Sequence, residues 1–513
     1  MAVLKLSSIC FSFLSCFYMA RRINSVSERW ATQLLLAAII VLYAPSVTCS
    51  EAAATQELLK GFKATVDPSV SSFQALLRDS TGNLSLGFLK TDGAYVALAV
   101  LHLPSSEPIW VADYPTRLAR WSGRTQLIFN GSLVISDPHE KVIWSTGTQG
   151  DRVLLLNTSN LQIQKLDSDD ASSVLWQSFD FPTDTLVENQ NFTAKMTLYS
   201  SNGQYSMRLG NNFLGLYANF KQGSEQIYWK HRAMEARAKI VDGKGPIYLR
   251  INPDGYLGMY QTENQPVDVQ PLTSFQRTIN GLLRIRLEPD GNLKGYYWDG
   301  SKWVLNYQAI SDQCELPSAC GSYGLCRAGS GCSCLDNRTD HRSGKCLPTE
   351  IGDLCGGGVA KNNFRVLRRK GVELPYKELM RYETTLSLEE CESSCENNCS
   401  CWGALYNNAS GFCYPVDYPI QTLVGIGDEA KVGYFKVRKG ADREKTKVGF
   451  GVGIGVVGGA LMILVWIVGF GSYRIWKRRK ALKRFLEEEG GVSPGPYKDL
   501  GSASFRSLEM CNR

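Results

Sequence analysis

Leu175-Trp176-Gln177-Ser178-Phe179-Asp180-Phe181-Pro182-Thr183-Asp184-Thr185-Leu186 sits in the middle of a long region built from short apolar and polar alternations. Upstream of it run Ala94-Tyr95-Val96-Ala97-Leu98-Ala99-Val100, Leu133-Val134-Ile135 and Val153-Leu154-Leu155-Leu156, with Gly, Asn and Asp between such runs. Successive side chains of a strand point to opposite faces, so this pattern over residues 60–310 predicts an all-β sandwich or barrel. It excludes a helical enzyme core, because no long 3.6-residue period occurs there. One unit recurs, a strand entered through a tight turn. Asn130-Gly131-Ser132-Leu133-Val134-Ile135, Thr158-Ser159-Asn160-Leu161-Gln162-Ile163, Asp254-Gly255-Tyr256-Leu257 and Asp290-Gly291-Asn292-Leu293 each place Gly, Asn or Asp where a turn needs positive φ. Its repetition predicts a β-prism or propeller-like array.

Twelve of the 16 cysteines lie between Cys314 and Cys413. An even count at that density predicts disulfides and an oxidising compartment. Zinc is the weaker reading: Cys332-Ser333-Cys334 and Cys399-Ser400-Cys401 lack zinc-ribbon spacing, and only His341 falls in the window. Glycosylation sequons agree with export, at Asn83, Asn130, Asn157, Asn191, Asn337 and Asn408. A seventh, Asn398, lies among the cysteines and is expected to stay unused.

The 513 residues are 44% hydrophobic and 20% charged, an ordinary composition for folded domains. The net charge of +7 does not point to nucleic acid, because much of it is one run: Arg474, Lys477, Arg478, Arg479, Lys480, Lys483 and Arg484. That run follows an uncharged stretch, 448–473, which predicts one transmembrane helix with the basic side in the cytoplasm. Leu34–Tyr43, preceded by Arg21, Arg22 and Arg29, reads as the core of a secretory signal, with Met19 as an alternative start. Together these predict a type I, single-pass plasma-membrane protein with its bulk outside the cell. Gly451, Gly455 and Gly459 recur every four residues and form a helix-packing face. Gly453-Ile454-Gly455-Val456-Val457-Gly458 matches a dinucleotide fingerprint only by letter, since no strand precedes it.

Trp110-Val111-Ala112-Asp113, Ile143-Trp144-Ser145-Thr146 and above all the twelve residues from Leu175 resemble the bulb-type (G-type) lectin region of plant S-locus glycoproteins and S-domain receptor kinases. Leu287–Trp303, followed by Cys314 and Cys320-Gly321-Ser322-Tyr323-Gly324-Leu325-Cys326, resembles the end of an S-locus glycoprotein domain running into an EGF-like module. Cys391-Glu392-Ser393-Ser394-Cys395-Glu396-Asn397-Asn398-Cys399-Ser400-Cys401, with Cys413, is similar to the PAN/apple module of the same proteins. The resemblance implies a mainly β chain: bulb-lectin β-prism domains, a small disulfide-rich EGF-like module, an α+β PAN/apple module and one transmembrane helix. The expected division is a leader at 1–50, lectin-like domains at 51–175 and 176–310, the EGF-like module at 311–347, the PAN module at 348–440, the membrane helix at 448–473 and a tail at 474–513. The family also implies the pairings Cys314–Cys326, Cys320–Cys332 and Cys334–Cys346, then Cys391–Cys413 and Cys395–Cys401. Parity leaves Cys355 for Cys399.

Mannose-binding members carry Gln-x-Asp-x-Asn-x-Val-x-Tyr, a fan of donors and acceptors beside one apolar contact. Aligned on the turn, one copy here reads Ile128, Asn130, Ser132, Val134 and Ser136, and a second reads Leu156, Thr158, Asn160, Gln162 and Gln164. Most of the hydrogen-bonding groups are replaced, so a degenerate sugar site at Asn130, Ser132, Val134 and Asn160 is expected to discriminate poorly.

No catalytic, metal or cofactor set can be assembled. The histidines are His102, His139, His231 and His341, scattered along the chain. After Tyr473 forty residues follow, without a kinase Gly-rich loop, catalytic lysine or magnesium-binding sequence. The expectation is a non-enzymatic receptor-like glycoprotein that binds an extracellular protein or carbohydrate and works with a receptor kinase, with oligomerisation through the PAN module or the membrane helix. A structural, adhesive wall-facing glycoprotein and a carbohydrate-binding lectin are the alternatives.

Overall fold

The eight-residue alternations Leu84–Thr91 and Tyr95–His102 pair antiparallel along their whole length, with Leu86, Phe88, Leu98 and Val100 fully buried. They form the middle of a sheet in the computed structural model, flanked by Phe73–Arg78 and Glu107–Val111, with Ala119–Arg120 also paired to the third strand. A second sheet runs in the order Val142–Ser145, Leu133–Ser136, Gln126–Phe129, Phe62–Thr65. A third runs Glu57–Leu59, Arg152–Leu155, Leu161–Leu166, Ser172–Gln177. The structure describes residues 56–438, apart from several short stretches, and 465–480.

The three inner faces meet in one core that includes Phe88, Leu98, Phe129, Leu133, Val153 and Ile163. Each such side chain contributes about 1.5–3 kcal/mol by leaving water. One edge strand of each sheet contributes a tryptophan, and Trp110, Trp144 and Trp176 meet edge to face with centroids 5.8–6.2 Å apart. The three short tryptophan motifs are thus three copies of one structural position.

The run after Trp176 threads the second domain. Thr185–Val187, Asn191–Phe192 and Leu198–Tyr199 each begin a different four-stranded sheet. The first continues with Leu283–Leu287, Leu293–Trp298 and Trp303–Gln308. The second takes Tyr248–Asn252, Tyr256–Tyr260 and Pro266–Pro271, and the third Tyr205–Leu209, Phe213–Lys221 and Ser224–Arg232. Phe192, Met207, Leu216, Leu249, Ile285 and Leu293 are fully buried between them.

The cysteine-rich region is one packed piece. Gly324–Arg327 pairs antiparallel with Gly331–Cys334 on one side and parallel with Leu423–Gly425 on the other. Across that seam Tyr323 Oη donates to the Lys436 carbonyl at 2.5 Å, and Cys320 N donates to Thr422 Oγ1 at 2.8 Å. The helix Leu388–Asn397 starts at Ser387, whose hydroxyl accepts from Glu390 N, while Glu390 reaches back to Leu386 N. It packs its buried Cys391 and Cys395 against the strands Gly403–Asn407 and Phe412–Val416. Lys436, buried, closes its other end by donating to the carbonyls of Cys395 at 2.7 Å and Asn398 at 2.9 Å.

The expected fold class needs one correction. Among the described residues no helix is long and apolar enough to cross a membrane. The helix residues described, 465–480, carry Arg474, Lys477, Arg478, Arg479 and Lys480. The fold is therefore mainly β with few helices. That helix belongs to a compact unit separate from residues 1–348 and 366–436. The leader, Met19, residues 448–464 and the tail beyond 480 lie outside the described residues.

Candidate functional site

The two stretches aligned with a sugar pocket in the first domain are internally bonded. Asn130 is exposed at its turn, where Oδ1 accepts from Ser132 N at 3.4 Å. The Ser132 hydroxyl meets Ser145 Oγ at 2.9 Å and Thr146 Oγ1 at 3.0 Å and accepts from Gly147 N. Val134 is half-buried in mid-strand opposite Ile128. Asn160 is 5% exposed: Nδ2 donates to Gln177 Oε1 at 2.8 Å, and Oδ1 accepts from Ser178 Oγ and Phe179 N. Gln162 and Gln164 continue that chain of bonds to residues on adjacent strands, Gln162 donating to Gln177 and Gln164 accepting from Arg152. Asn160 thus spends its side-chain bonds on the run Gln177-Ser178-Phe179 of the same chain.

The same spacing recurs better in the second domain, at a turn that sequence reading treated only as a turn. Glu288, Asp290, Asn292, Lys294 and Tyr296 take the five places, matching at Asp, Asn and Tyr. Gly291, at φ +87°, makes the turn, and Asn292 N donates to Asp290 Oδ1 at 2.8 Å. Tyr296 Oη donates to Glu288 Oε1 at 2.7 Å, and Lys294 Nζ to Asp290 Oδ2 at 3.0 Å. Burial, and then the Glu288 contact, push the Tyr296 phenol above its ordinary range, so it stays a donor. Asn292 is buried and exchanges both bonds with the Ile310 backbone, a structural role.

Beside this strand opens a polar cleft of about 350 Å³. Asp290, Lys294 and Gln308 line it from one side, and Gln313, Ser318 and Lys345 from the cysteine-rich region. Such a lining offers hydrogen bonds in both directions to a hydroxyl-rich ligand, with charge on the Asp290–Lys294 pair to orient it.

Of the remaining expected site residues, Cys314–Cys326, Cys320–Cys332, Cys334–Cys346, Cys391–Cys413 and Cys395–Cys401 are joined as disulfides. Cys399 is disulfide-bonded as well. The sulfurs of Cys320, Cys326 and Cys332 lie within 4.8 Å of one another, but all three are bridged and offer no thiolate to a metal. Asn83, Asn157, Asn191 and Asn408 are exposed, as is Asn398, whose Oδ1 accepts from Ser400 N and Oγ. His231 Nε2 faces Asp268 Oδ2 at 2.6 Å, with Gln270 at 2.9 Å, away from the cleft's lining. Asn337, Cys355, Gly451, Gly455 and Gly459 lie outside the described residues.

Two three-sheet lectin-like domains running into a disulfide-stapled α+β module define a plant-type S-domain protein. The family models agree: D-mannose binding lectin over residues 108–208, S-locus glycoprotein domain over 256–338 and PAN domain over 366–432. The chain belongs to the family of PAN domain-containing proteins that carry these lectin and S-locus glycoprotein domains. It is 54% identical to a PAN domain-containing protein of Arabidopsis thaliana, over 89% of this chain and 92% of that one. It is also 24% identical to a G-type lectin S-receptor-like serine/threonine-protein kinase of Arabidopsis thaliana, over 90% of this chain but 59% of the kinase. A monomeric mannose-binding lectin from Gastrodia elata covers 25% of this chain and 96% of its own length, at 18% identity and a TM-score of 0.19.

Proposed function

We propose that this chain is a non-catalytic, extracellular, receptor-like protein that binds a carbohydrate through the turn and strand 288–296 of its second lectin-like domain. The observation that carries the reading is the pair of Asp290 with Lys294 on the lining of a polar cleft of about 350 Å³, on the same turn and strand as the Glu288–Tyr296 pair. A neutral sugar needs such convergent donors and acceptors, whereas the first domain commits Ser132 and Asn160 to bonds within the chain. Exposed sequons and bridged cysteines support an extracellular setting. The G-type lectin relatives are receptor kinases, and we propose a kinase of that kind as the partner that converts binding into a signal. The same reading divides the ectodomain at 51–175, 176–310, 311–347 and 348–440.

The test is glycan binding by the purified full chain. Asp290→Asn with Tyr296→Phe should weaken retention on a mannose-bearing or related neutral glycan at least tenfold, while Ser132→Ala leaves it unchanged. Equal retention by all three proteins would sink the reading.

A further inference from the structure

A second cleft, of about 410 Å³, lies in the cysteine-rich region where the turn at Gly371 joins the strands Phe364–Lys370 and Val372–Glu373. It is lined by Arg327, Ser333, Arg368, Arg369 and Lys370. We propose that this cleft binds a carboxylated polysaccharide, independently of the site at 288–296.

Three of its four cations are available, on Arg327, Arg369 and Lys370. Arg368 is engaged by Glu392 through two nitrogens, at 2.7 and 2.9 Å. Arg369 donates Nη2 to the Leu335 carbonyl at 3.1 Å, which fixes its position and leaves other N–H groups of its guanidinium for a ligand. Among the described residues Lys370 pairs only with Glu429, at 3.9 Å and with both side chains well exposed, a contact of little energy. Arg327 is exposed, and its Cγ lies 3.0 Å from where a Cβ on Gly425 would stand, so the glycine lets its stem lie against the backbone. The nearby carboxylate of Glu373 is held by Lys377 and Lys431 and does not neutralise the cleft.

The lining also selects the class of ligand. Leu325, Leu335 and Val372 are the apolar members, and all three are buried, at 8%, 2% and 2% exposure. A folded protein partner usually anchors an aromatic or aliphatic side chain, and nothing here receives one. Among the described residues no aromatic side chain lines the cleft to stack on a neutral sugar. What remains is cationic, offered by Arg327, Arg369 and Lys370, and suited to a chain of repeated carboxylates held by guanidinium forks.

The experiment measures binding of the full chain to polygalacturonate, neutral mannan and poly-glutamate of matched length. Expected is binding to polygalacturonate that falls at least tenfold between 50 and 300 mM salt and at least tenfold in R327A/R369A. R327A alone, at a side chain with no hydrogen-bond or ion-pair partner among the described residues, should fall about threefold with thermal unfolding close to wild type. Arg208→Ala, remote in the second lectin-like domain, should bind as wild type. Four results would each overturn the proposal: unchanged binding in R327A/R369A, equal retention on mannan, tighter binding to poly-glutamate, or displacement by inorganic phosphate at matched charge. Loss of glycan binding in Asp290→Asn with Tyr296→Phe bears only on the other site, so the two failures are distinguishable.

Discussion

Arg284, in the second lectin-like domain, donates Nη2 to Glu107 of the first at 2.5 Å, under the ring of Trp303. The guanidinium is 3% exposed, and its Nε and Nη1 are buried without a hydrogen-bond partner among the described residues. Glu107 is therefore its main compensation. Glu107→Ala should cost about 2 kcal/mol in urea unfolding, the scale of a lost bond to a charged group. Arg284→Met, which removes the charge together with its unpaired nitrogens, should stay within about 1 kcal/mol of wild type. A larger loss in the Met variant than in the Ala variant would reverse this account.

His102 shares that junction, with its ring 4.8 Å from Trp298 and 5.3 Å from Trp303. Burial, then the positive charge of Arg284, hold its imidazole below the ordinary value, with Glu107 opposing them. The unfolded chain then takes up the proton first, near pH ~6.5. Stability from neutral His102 is present above that pH and is lost as the pH falls through the lower folded value. The urea midpoint should drop from pH 7 to pH 5, and His102→Asn should flatten the drop. Identical pH profiles for the two proteins would show that His102 is not responsible.

The tryptophan trio makes a graded prediction. Trp110 is 6% exposed and donates Nε1 to the Phe181 carbonyl at 2.8 Å, whereas Trp144 is only partly buried at the rim of the core. Trp110→Ala should cost about 3–5 kcal/mol, and Trp144→Ala distinctly less, by circular dichroism in denaturant.

Disulfide loops in the PAN module differ in length. Cys391–Cys413 spans 22 positions and Cys395–Cys401 spans 6. In the chain-entropy account the longer loop contributes about 3 kcal/mol and the shorter about 2. Replacing each pair by serines in turn should therefore destabilise more at Cys391 and Cys413. The reverse order would place the effect in native packing.

Much of this was legible along the chain. The period-2 runs and the turn residues became strands and turns, and Trp110, Trp144 and Trp176 marked equivalent edges. The turn Asp290-Gly291-Asn292 was legible as well, but the five-residue spacing around it is masked in sequence by Glu288 and Lys294, which stand where the motif has Gln and Val. Asn130 and Asn160 looked alike as remnants of a sugar pocket. Only their partners distinguish an exposed turn residue from a buried clamp on Gln177 and Ser178.

Local chemistry by itself determined the β class and the disulfide-bonded cysteines, because alternation, turn residues and cysteine density act over a few residues, while the lectin-like and PAN modules came from the resemblance of their motifs. Tertiary structure alone decided that Arg284 meets Glu107, that Leu325 pairs with Leu423, and that Arg327 and Arg369 line one cleft. Each joins residues from about 40 to nearly 180 positions apart, and such contacts arise only once separate strands have buried their faces together.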